Sequence, residues 1–327
     1  MTGDITHAEV AARLRSERQM VIMAHENPDG DALGCVVALA LMAQNLGIPH
    51  CIYLPGRAPL PAEYTFLPGL DRALRGPMPK MEATTTAYVL DCATANRLDV
   101  EGLRCAGACI NIDHHHDNTR FGTLNLLDFE AASATQILFD IFMSGNLPID
   151  ARIATALYVG LTTDTGRFQY SNTTPAAHRM AARLQEMGAD VAAVAHEIYE
   201  SMALSKVLLI RRALERMQLH LDGGLAVSWL TAEDFAEAGA DESQTEGVID
   251  SLRMIKGVRV AALLRERLNG ARGEYKGSLR STDGSIDVSA VAHQRGGGGH
   301  LQAAGFTAAG PLEDLLEWLV REVGTRL

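Results

Sequence analysis

Short apolar runs alternate with long, largely apolar segments along the first part of the chain. Four of the runs have the length of buried parallel strands, at residues 19–24, 50–54, 87–90 and 108–112. Residues 31–47 are apolar almost all round, lack proline and end at Gly47, which predicts a buried helix. Because the segments between the runs are long enough to cross over a sheet, the pattern predicts a parallel sheet with helices on its faces.

Helical patterns dominate the next part of the chain, and strand patterns return after it. We predict helices at residues 131–143, 149–161, 175–187 and 191–218. Strand signals follow at residues 224–230, 258–264 and 274–280. The chain is therefore predicted to form an N-terminal α/β domain at 1–188, a helical connector at 189–218, and a smaller α/β domain with a mixed sheet at 219–327.

Composition excludes several classes of protein. The 327 residues are 47% hydrophobic and 21% charged, which is ordinary globular usage. The longest apolar run, Cys35 to Ala43, is far shorter than the ~18 residues that a membrane helix requires. Because the N-terminus also lacks a basic-then-apolar signal, we expect a cytoplasmic protein with no membrane partner.

Cysteine content and charge narrow the expected partners. Five cysteines, an odd number without a CxxC pair, indicate neither a disulfide framework nor a zinc ribbon. The net charge of −11 disfavours binding to long duplex nucleic acid. An anionic substrate must therefore meet local positive charge, and a homodimer is among the expected oligomeric states.

The first candidate site follows the first predicted strand. His25, Asp29 and Asp31 have the spacing H-x3-D-x-D, in a loop that Pro28 and Gly30 can turn toward one point. A helix N-cap would explain Asp31 alone, not all three residues.

Two further strands end in residues of the same type. Asp91 ends AYVLD, and Asp113, His114 and His115 end the run ACINI. In an open parallel sheet, ligands collect at the carboxyl ends of the strands, so these side chains are expected along one edge. Asp164, in GLTTDTG, follows a predicted helix and is either a further ligand or a turn residue.

These side chains offer carboxylate oxygens and imidazole nitrogens but no thiolates. Such a set suits Mn²⁺ or Mg²⁺, with Zn²⁺ or Fe²⁺ as alternatives. Four of these aspartates and two of these histidines already exceed one site, so two divalent ions are expected. Two ions ~3.5–4 Å apart can activate a water and clamp phosphoryl oxygens, which indicates phosphoester chemistry.

A second set of candidate residues lies near the C-terminus. The sequence GGGGH consists of Gly296, Gly297, Gly298, Gly299 and His300. Its backbone N–H groups are expected to surround an anion, and a flexible loop is the alternative. Arg280 ends a predicted strand in a segment, residues 251–280, with eight basic and two acidic residues. That charge either forms a solvated strand face or binds phosphate beside the glycines.

At these residues the sequence resembles the DHH phosphoesterase family. HENPDGDALG, VLDC, DHHH and DTG occur in the family's order, and the segment SLRS followed by GGGGHLQAAGF is similar to the DHH-associated C-terminal domain. The two-domain plan is similar to the group of nanoRNases and 3'-phosphoadenosine-5'-phosphate (pAp) phosphatases. The resemblance implies a Rossmann-like N-terminal domain and an active site in an interdomain cleft.

The resemblance also implies roles for individual residues. One metal ion would be held by His25, Asp29 and Asp91, and the other by Asp31, Asp91, His114 and Asp164. Asp113 would orient a histidine, and His115 would meet the substrate as a phosphate ligand or proton donor. The substrate would also contact Arg280, Gly296 to Gly299 and His300. His116 receives no role, and Asp287 stands where the family often has Asn.

The implied function is metal-dependent phosphoester hydrolysis. We expect release of mononucleotides from very short single-stranded RNA, and conversion of pAp to AMP, by a water that two metal ions activate. Cyclic di-AMP and linear dinucleotides such as pApA and pGpG are alternative substrates. Inorganic pyrophosphatase activity, a non-catalytic nucleotide sensor and an iron-dependent redox protein are the remaining alternatives.

Overall fold

The computed structural model describes residues 3–56, 59–98, 100–245, 247–271, 273–282 and 284–327. The chain divides into two compact units, Met1–Ser201 (unit 1) and Met202–Leu327 (unit 2). Each unit contains one six-stranded sheet. The domain limits expected from the sequence, 1–188, 189–218 and 219–327, stay predictions.

The sheet of unit 1 is parallel throughout. Its strands are β1 (Gly3–Asp4), β2 (Gln19–Met23), β3 (His50–Tyr53), β4 (Thr85–Leu90), β5 (Ala108–Asp113) and β6 (Leu124–Leu127). They lie in the order β1-β6-β5-β4-β2-β3. The predicted parallel sheet is confirmed, with β2 to β5 at the expected places. The strand pattern did not indicate β1 and β6, because both are short, β1 is exposed, and β6 is only partly buried at its two ends.

Helices connect these strands. They are α1 (His7–Leu14), α2 (Gly30–Asn45), α3 (Val100–Leu103), α4 (Ala134–Ser144), α5 (Ala151–Asp164), α6 (Pro175–Glu186) and α7 (Val191–Ala195). Helix α2 is buried from Gly30 to Ala43, as its apolar pattern predicts, and packs closely on α5. A Cβ at Gly34 would lie 2.6 Å from the carbonyl oxygen of Ala156, so the two backbones approach only because Gly34 has no side chain.

The predicted continuous helix at 191–218 is wrong. Helix α7 passes into a π-helical turn, His196–Glu200, and the chain is extended at Ala203 before α8 (Leu204–Glu215) begins. Gln218 already belongs to the next strand. The apolar spacing is helical on both sides of the break, so the pattern alone did not reveal it.

Unit 2 has a mixed sheet, as predicted. Its strands are β7 (Gln218–His220), β8 (Leu225–Leu230), β9 (Val260–Glu266), β10 (Glu274–Ser281), β11 (Gly298–His300) and β12 (Ala303–Ala309). Their order is β11-β12-β10-β9-β8-β7, with β8 and β9 parallel and the other neighbours antiparallel. The remaining helices are α9 (Ala232–Ala238), α10 (Val248–Arg253), α11 (Val288–His293) and α12 (Leu312–Gly324).

Apolar clusters cover both faces of the unit 2 sheet. One cluster joins Leu279 and Phe306 to Trp318 of α12, and the other joins Leu263 to Leu209 of α8 and Leu252 of α10. Along β10 the buried residues alternate with partly exposed ones, and Arg280 is on the partly exposed face with Lys276 and Ser278.

Each of the five cysteines is a free thiol. Cys35, Cys92 and Cys109 are buried, Cys51 is half-buried and Cys105 is exposed. Among the described residues, no helix combines the length and the apolar composition that spanning a membrane requires.

Candidate metal centre

The aspartates and histidines predicted for the first domain converge at the carboxyl edge of the unit 1 sheet. His25 and Asp29 follow β2, Asp91 follows β4, and His114 follows β5. Asp164 reaches the same place from the last turn of α5. Because all strands of this sheet are parallel, their carboxyl ends meet at one edge, as a ligand site requires.

The N-cap of α2 is Asp29, and not Asp31, the residue that the sequence offered as a possible N-cap. Helix α2 begins at Gly30, and its N-cap is Asp29, whose Oδ1 accepts hydrogen bonds from the N–H groups of Asp31 and Ala32, both at 3.1 Å. Asp31 therefore lies in the first turn, not at the cap, and its carboxylate is available for tertiary contacts.

Asp31 is held by the beginning of α4. Its Oδ2 accepts a hydrogen bond from the N–H of Ala134 at 2.6 Å, and its Oδ1 accepts from the N–H and hydroxyl of Thr135 at 3.0 and 2.7 Å. A Cβ at Gly160 of α5 would lie 2.4 Å from the same Oδ1. The carboxylate thus occupies a position fixed by one helix N-terminus and by the missing side chain of a second helix.

Asp91 is central to the cluster. It is 1% exposed, and within the described part of the chain its Oδ1 receives no hydrogen bond. Three imidazole nitrogens surround its carboxylate: His25 Nε2 at 3.8 Å, His114 Nε2 at 3.7 Å and His115 Nδ1 at 3.5 Å. Since a buried carboxylate oxygen without a donor is costly, this atom is poised for a cation.

The two histidines after β5 have different partners. His114 Nδ1 lies 3.2 Å from the carbonyl oxygen of Ala131, which fixes this nitrogen as a donor and leaves Nε2 directed at Asp91 and at Asp164, 3.6 Å away. His115 Nδ1 lies 2.7 Å from Oδ1 of the fully buried Asp113. Asp113 also accepts a hydrogen bond from Asn118, so it can orient the ring of His115.

Among the residues that the structure describes, three groups of side chains have ligand atoms within 4.8 Å of one another. They are His25, Asp29 and Asp91; Asp31, His114 and Asp164; and Asp91, His114 and His115. The oxygen and imidazole donors and the orphaned Oδ1 of Asp91 fit divalent metal ions. The division into two particular ligand sets stays a prediction.

Charge crowding supports the same fit. Burial, followed by repulsion from Asp31 and Asp29, raises the pKa of Asp91 well above its ordinary value. The same causes raise the pKa of Asp164, and burial raises that of Asp31 despite the nearby His114. A divalent cation among these groups would allow the carboxylates to be ionised together.

Sequence reasoning missed one cation at this edge. Arg97 ends the short 3-10 turn Ala95–Arg97 and is exposed. Its Nη2 lies 2.7 Å from His25 Nδ1 and 3.5 Å from the carbonyl oxygen of Glu26. The sequence did contain a signal for this residue: Arg97 lies in the short loop that follows Asp91, so it was bound to lie near the same edge of the sheet.

The candidate residues of unit 2 lie around the edge strand β11. Arg280 belongs to β10, and its Nη1 donates to the carbonyl oxygen of Leu279 at 3.1 Å. A groove of about 320 Å³ is lined by Lys276, Arg295, residues 296–298, Gly305, Phe306 and Thr307. Of the eight basic residues noted at 251–280, Arg272 lies outside the described residues.

Two of the glycine N–H groups that the sequence predicts to surround an anion already have partners. Gly296 and Gly297 donate to the carbonyl oxygens of His293 and Ala292 at 3.0 Å, and the residues from Gly298 to His300 pair with β12. The lack of side chains serves close packing instead: a Cβ at Gly297 would lie 2.1 Å from the carbonyl oxygen of Gly305. Gly296 to Gly298 therefore form one wall of the groove, and GGGGH is not an irregular loop.

Two residues without an assigned role have structural contacts. The ring of His116 stacks on Phe129 with centroids 5.3 Å apart. Asp287 is the N-cap of α11 and accepts from the N–H groups of Ser289 and Ala290 at 2.9 and 3.1 Å.

Comparisons with known proteins agree with this architecture. The profile of the DHH family N-terminal domain matches residues 19–161, and that of the DHHA1 domain matches residues 222–325. A Thermus thermophilus protein named bifunctional oligoribonuclease and PAP phosphatase NrnA is 34% identical over 90% of this chain and 85% of its own length. A Streptococcus mutans protein named as a probable enzyme of the same kind is 27% identical over 90% of this chain and 91% of its own length.

Solved structures share the fold. An exopolyphosphatase-related protein from Bacteroides fragilis superposes with a TM-score of 0.86 at 22% identity, covering 98% of this chain and 96% of its own. RecJ from Thermus thermophilus in complex with Mn²⁺ reaches 0.53 at 16% identity, covering 98% of this chain and 54% of its own. From the two domain profiles and the Thermus relative, we conclude that the chain belongs to the DHH family of phosphoesterases, with a C-terminal DHHA1 domain.

Proposed function

We propose that the protein hydrolyses short single-stranded oligoribonucleotides to mononucleotides and pAp to AMP, with divalent metal ions bound by unit 1. The observation that carries the proposal is the buried Asp91: its Oδ1 has no donor among the described residues, and its carboxylate faces three histidines, His114 and His115 at Oδ1 and His25 at Oδ2. The names of the Thermus and Streptococcus relatives support this choice of substrates.

Two ions are proposed, each with a ligand set centred on Asp91. His25, Asp29 and Asp91 would hold the first ion. Asp31, Asp91, His114 and Asp164 would hold the second. Oxygen and imidazole donors favour Mn²⁺, and Mg²⁺ is the next candidate.

When bound, such ions supply a Lewis acid for phosphoryl oxygens and a source of hydroxide at neutral pH. The chain's own residues then do the positioning. Asp113 holds His115 by the 2.7 Å contact at Nδ1, which leaves Nε2 to carry a proton toward the departing oxygen of the substrate. The hydrogen bonds from α4 to Asp31 fix this carboxylate before any substrate arrives.

Unit 2 is proposed to bind the nucleotide. Arg280 offers a guanidinium for a phosphate group, and His300 lies at the end of the glycine-rich strand. Gly296 to Gly299 would allow a substrate to approach the backbone, and Lys276 and Arg295 line the groove beside Gly296 to Gly298. This locally positive surface would attract an anionic substrate, which the net charge of −11 would otherwise repel.

The function is tested by offering the Mn²⁺-loaded protein pAp, pApA, a five-residue RNA, cyclic di-AMP and pyrophosphate at equal concentrations. We expect turnover of pAp, pApA and the short RNA, and its loss in Asp91→Asn. A preference for cyclic di-AMP or pyrophosphate by a factor of ten or more in kcat/KM would contradict the proposal.

The role of unit 2 has a separate test. Arg280→Ala should raise KM for pAp by ~10-fold or more, because a charge-assisted hydrogen bond contributes about 1.5–3 kcal/mol. Hydrolysis of bis(p-nitrophenyl) phosphate, which needs only the metals, should stay unchanged. Arg321→Ala, at an arginine that is 68% exposed on α12, is the matched control. Equal losses on both substrates would assign Arg280 to folding instead.

A further inference from the structure

Arg97 is a cation in contact with the metal centre, and no role for it follows from the ligand sets. Its guanidinium touches His25 Nδ1 and the carbonyl oxygen of Glu26, and within the described part of the chain it forms no ion pair with a carboxylate. Arginines elsewhere in unit 1 do form such pairs, for example Arg120 with Asp4. An exposed arginine that lies near several aspartates but forms an ion pair with none of them is available to bind an anionic ligand.

The contact with His25 is replaceable. His25 Nδ1 lies 2.9 Å from the carbonyl oxygen of Glu26, which needs a donor, and 2.7 Å from Arg97 Nη2, which needs an acceptor. One ring nitrogen can serve only one of these partners. When His25 offers Nε2 to a metal ion, Nδ1 carries the hydrogen and donates to Glu26, so Arg97 loses its 2.7 Å acceptor and retains the longer, 3.5 Å contact with the carbonyl oxygen of Glu26.

Charge balance indicates which acceptor replaces His25 Nδ1. Without metal ions, Arg97 offsets part of the negative charge of the aspartates, and this alone could explain its place. With two divalent ions, the four carboxylates of Asp29, Asp31, Asp91 and Asp164 are already neutralised. The guanidinium then adds a net positive charge at the edge of the site, which suits an incoming phosphate.

We propose that Arg97 binds a non-bridging oxygen of the scissile phosphate in the metal-loaded protein. The guanidinium presents two parallel N–H groups to phosphoryl oxygens, a geometry that lysine cannot reproduce. Arg97 is then a catalytic residue of the phosphoester site, acting on the charge that develops during phosphoryl transfer. The inference rests on the proposed function for its substrate, but binding of phosphate can be measured without turnover.

The test compares Arg97→Met and Arg97→Lys with the wild-type protein, and Arg72→Met serves as control because Arg72 is 89% exposed and remote from the cluster in sequence. Affinity for inorganic phosphate is measured by calorimetry on the Mg²⁺-loaded proteins. Metal content is measured by mass spectrometry, and kcat/KM is measured on pAp. Guanidinium chloride at low millimolar concentration is added to Arg97→Met as a chemical rescue.

We expect Arg97→Met to bind phosphate at least tenfold more weakly and to lose ~10²-fold or more in kcat/KM, with unchanged metal content. Arg97→Lys should recover part of the affinity, guanidinium should recover part of the rate, and Arg72→Met should match the wild type. Unchanged phosphate affinity in Arg97→Met would overturn the inference. Loss of a metal ion would also overturn it, by assigning Arg97 to the positioning of His25. Failure of the proposed function would look different: the wild type would bind phosphate but hydrolyse neither pAp nor RNA.

Discussion

Replacing Asp91 by asparagine should separate the stability of unit 1 from its ability to bind metal. The substitution keeps the size of the side chain and removes one negative charge from a buried group of acids. Because burial, and after it repulsion from that group, raises the pKa of Asp91 well above its ordinary value, the metal-free protein gains nothing from an ionised Asp91. The metal-loaded protein, in contrast, depends on that charge.

The magnitude follows from the distances. Ligand oxygens of Asp29 and Asp91 lie within 4.8 Å of each other. Two unit charges at such a distance repel by ~3 kcal/mol at an effective dielectric constant of ~20. Asp91→Asn removes this repulsion where Asp91 is ionised and changes no charge where it is protonated, so in both cases the metal-free variant should unfold at the wild-type temperature or above it. A metal ion at a hundred times its Kd stabilises the native state by ~2.7 kcal/mol. For a unit of this size, that raises Tm by ~5–10 °C.

The assay is thermal unfolding, followed by calorimetry, of both proteins after treatment with a chelator and again in saturating Mn²⁺. We expect the wild type to gain ~5–10 °C with Mn²⁺ and the variant to gain less than ~2 °C. Asp140→Asn is the control, since burial also raises the pKa of Asp140, which lies in α4 outside the three ligand groups. An equal Mn²⁺-induced gain in Asp91→Asn would refute the reasoning.

Three further predictions concern single residues. His115→Ala should lower kcat on pAp by ~10²–10⁴-fold and leave metal content unchanged, because His115 is assigned to the substrate. Gly160→Ala should weaken Mn²⁺ binding at least tenfold, because the new Cβ would displace Asp31 from α4. Asp234→Asn should destabilise unit 2 by about 2–3 kcal/mol at pH 7, because Asp234 accepts hydrogen bonds from Arg212, Arg216 and Thr231.

The Asp234 prediction includes a pH dependence of known sign. Burial would raise the pKa of this carboxyl, but the bonds from Thr231 and Arg216 outweigh it and hold the pKa below its ordinary value. A lowered native pKa stabilises the fold above the unfolded-state pKa of about 3.9 and ceases to do so as the pH falls through the native value. The difference between variant and wild type in urea unfolding should therefore shrink below about pH 4.

Each of the three has a result that would contradict it. A metal ion missing from His115→Ala would move that residue from the substrate to a ligand set. Gly160→Ala with wild-type Mn²⁺ affinity would show that Asp31 is not a ligand, and Gly145→Ala, at a tight contact with Ala11 away from the cluster, controls for general crowding. A stability difference for Asp234→Asn that does not begin to shrink as the pH falls below about 4 would trace its effect to packing.

The sequence predicted that these aspartates and histidines lie together, because parallel topology brings the carboxyl ends of the strands to one edge. Once strands β2, β4 and β5 are placed in one parallel sheet, Asp91 and His114 must meet at its carboxyl edge, whatever the exact register. The apolar pattern of α2 was equally informative, because a helix buried on all sides has no polar face to obscure its limits.

Other features depend on partners that are distant in the chain. The glycines from Gly296 onward were expected to have unused N–H groups, but pairing with β12 is invisible to any local pattern. The sequence did not show that Asp31 accepts hydrogen bonds from the N-terminus of α4, because Ala134 is 103 residues away along the chain. The N-cap at Asp29 was missed because Asp29 and Asp31, two residues apart, are equally good N-cap residues, and only the backbone angles distinguish them.

The distribution of cysteines makes the protein convenient for spectroscopic labelling. All five lie before residue 110, so unit 2 contains no native thiol. In unit 1, Cys105 is the exposed thiol, and burial raises the pKa of Cys35, Cys92 and Cys109. A maleimide at neutral pH should therefore react first at Cys105. One cysteine introduced on the exposed surface of α12, for example by Arg321→Cys, would place a second fluorophore in unit 2. The pair would report the distance between the units, with and without substrate, by energy transfer.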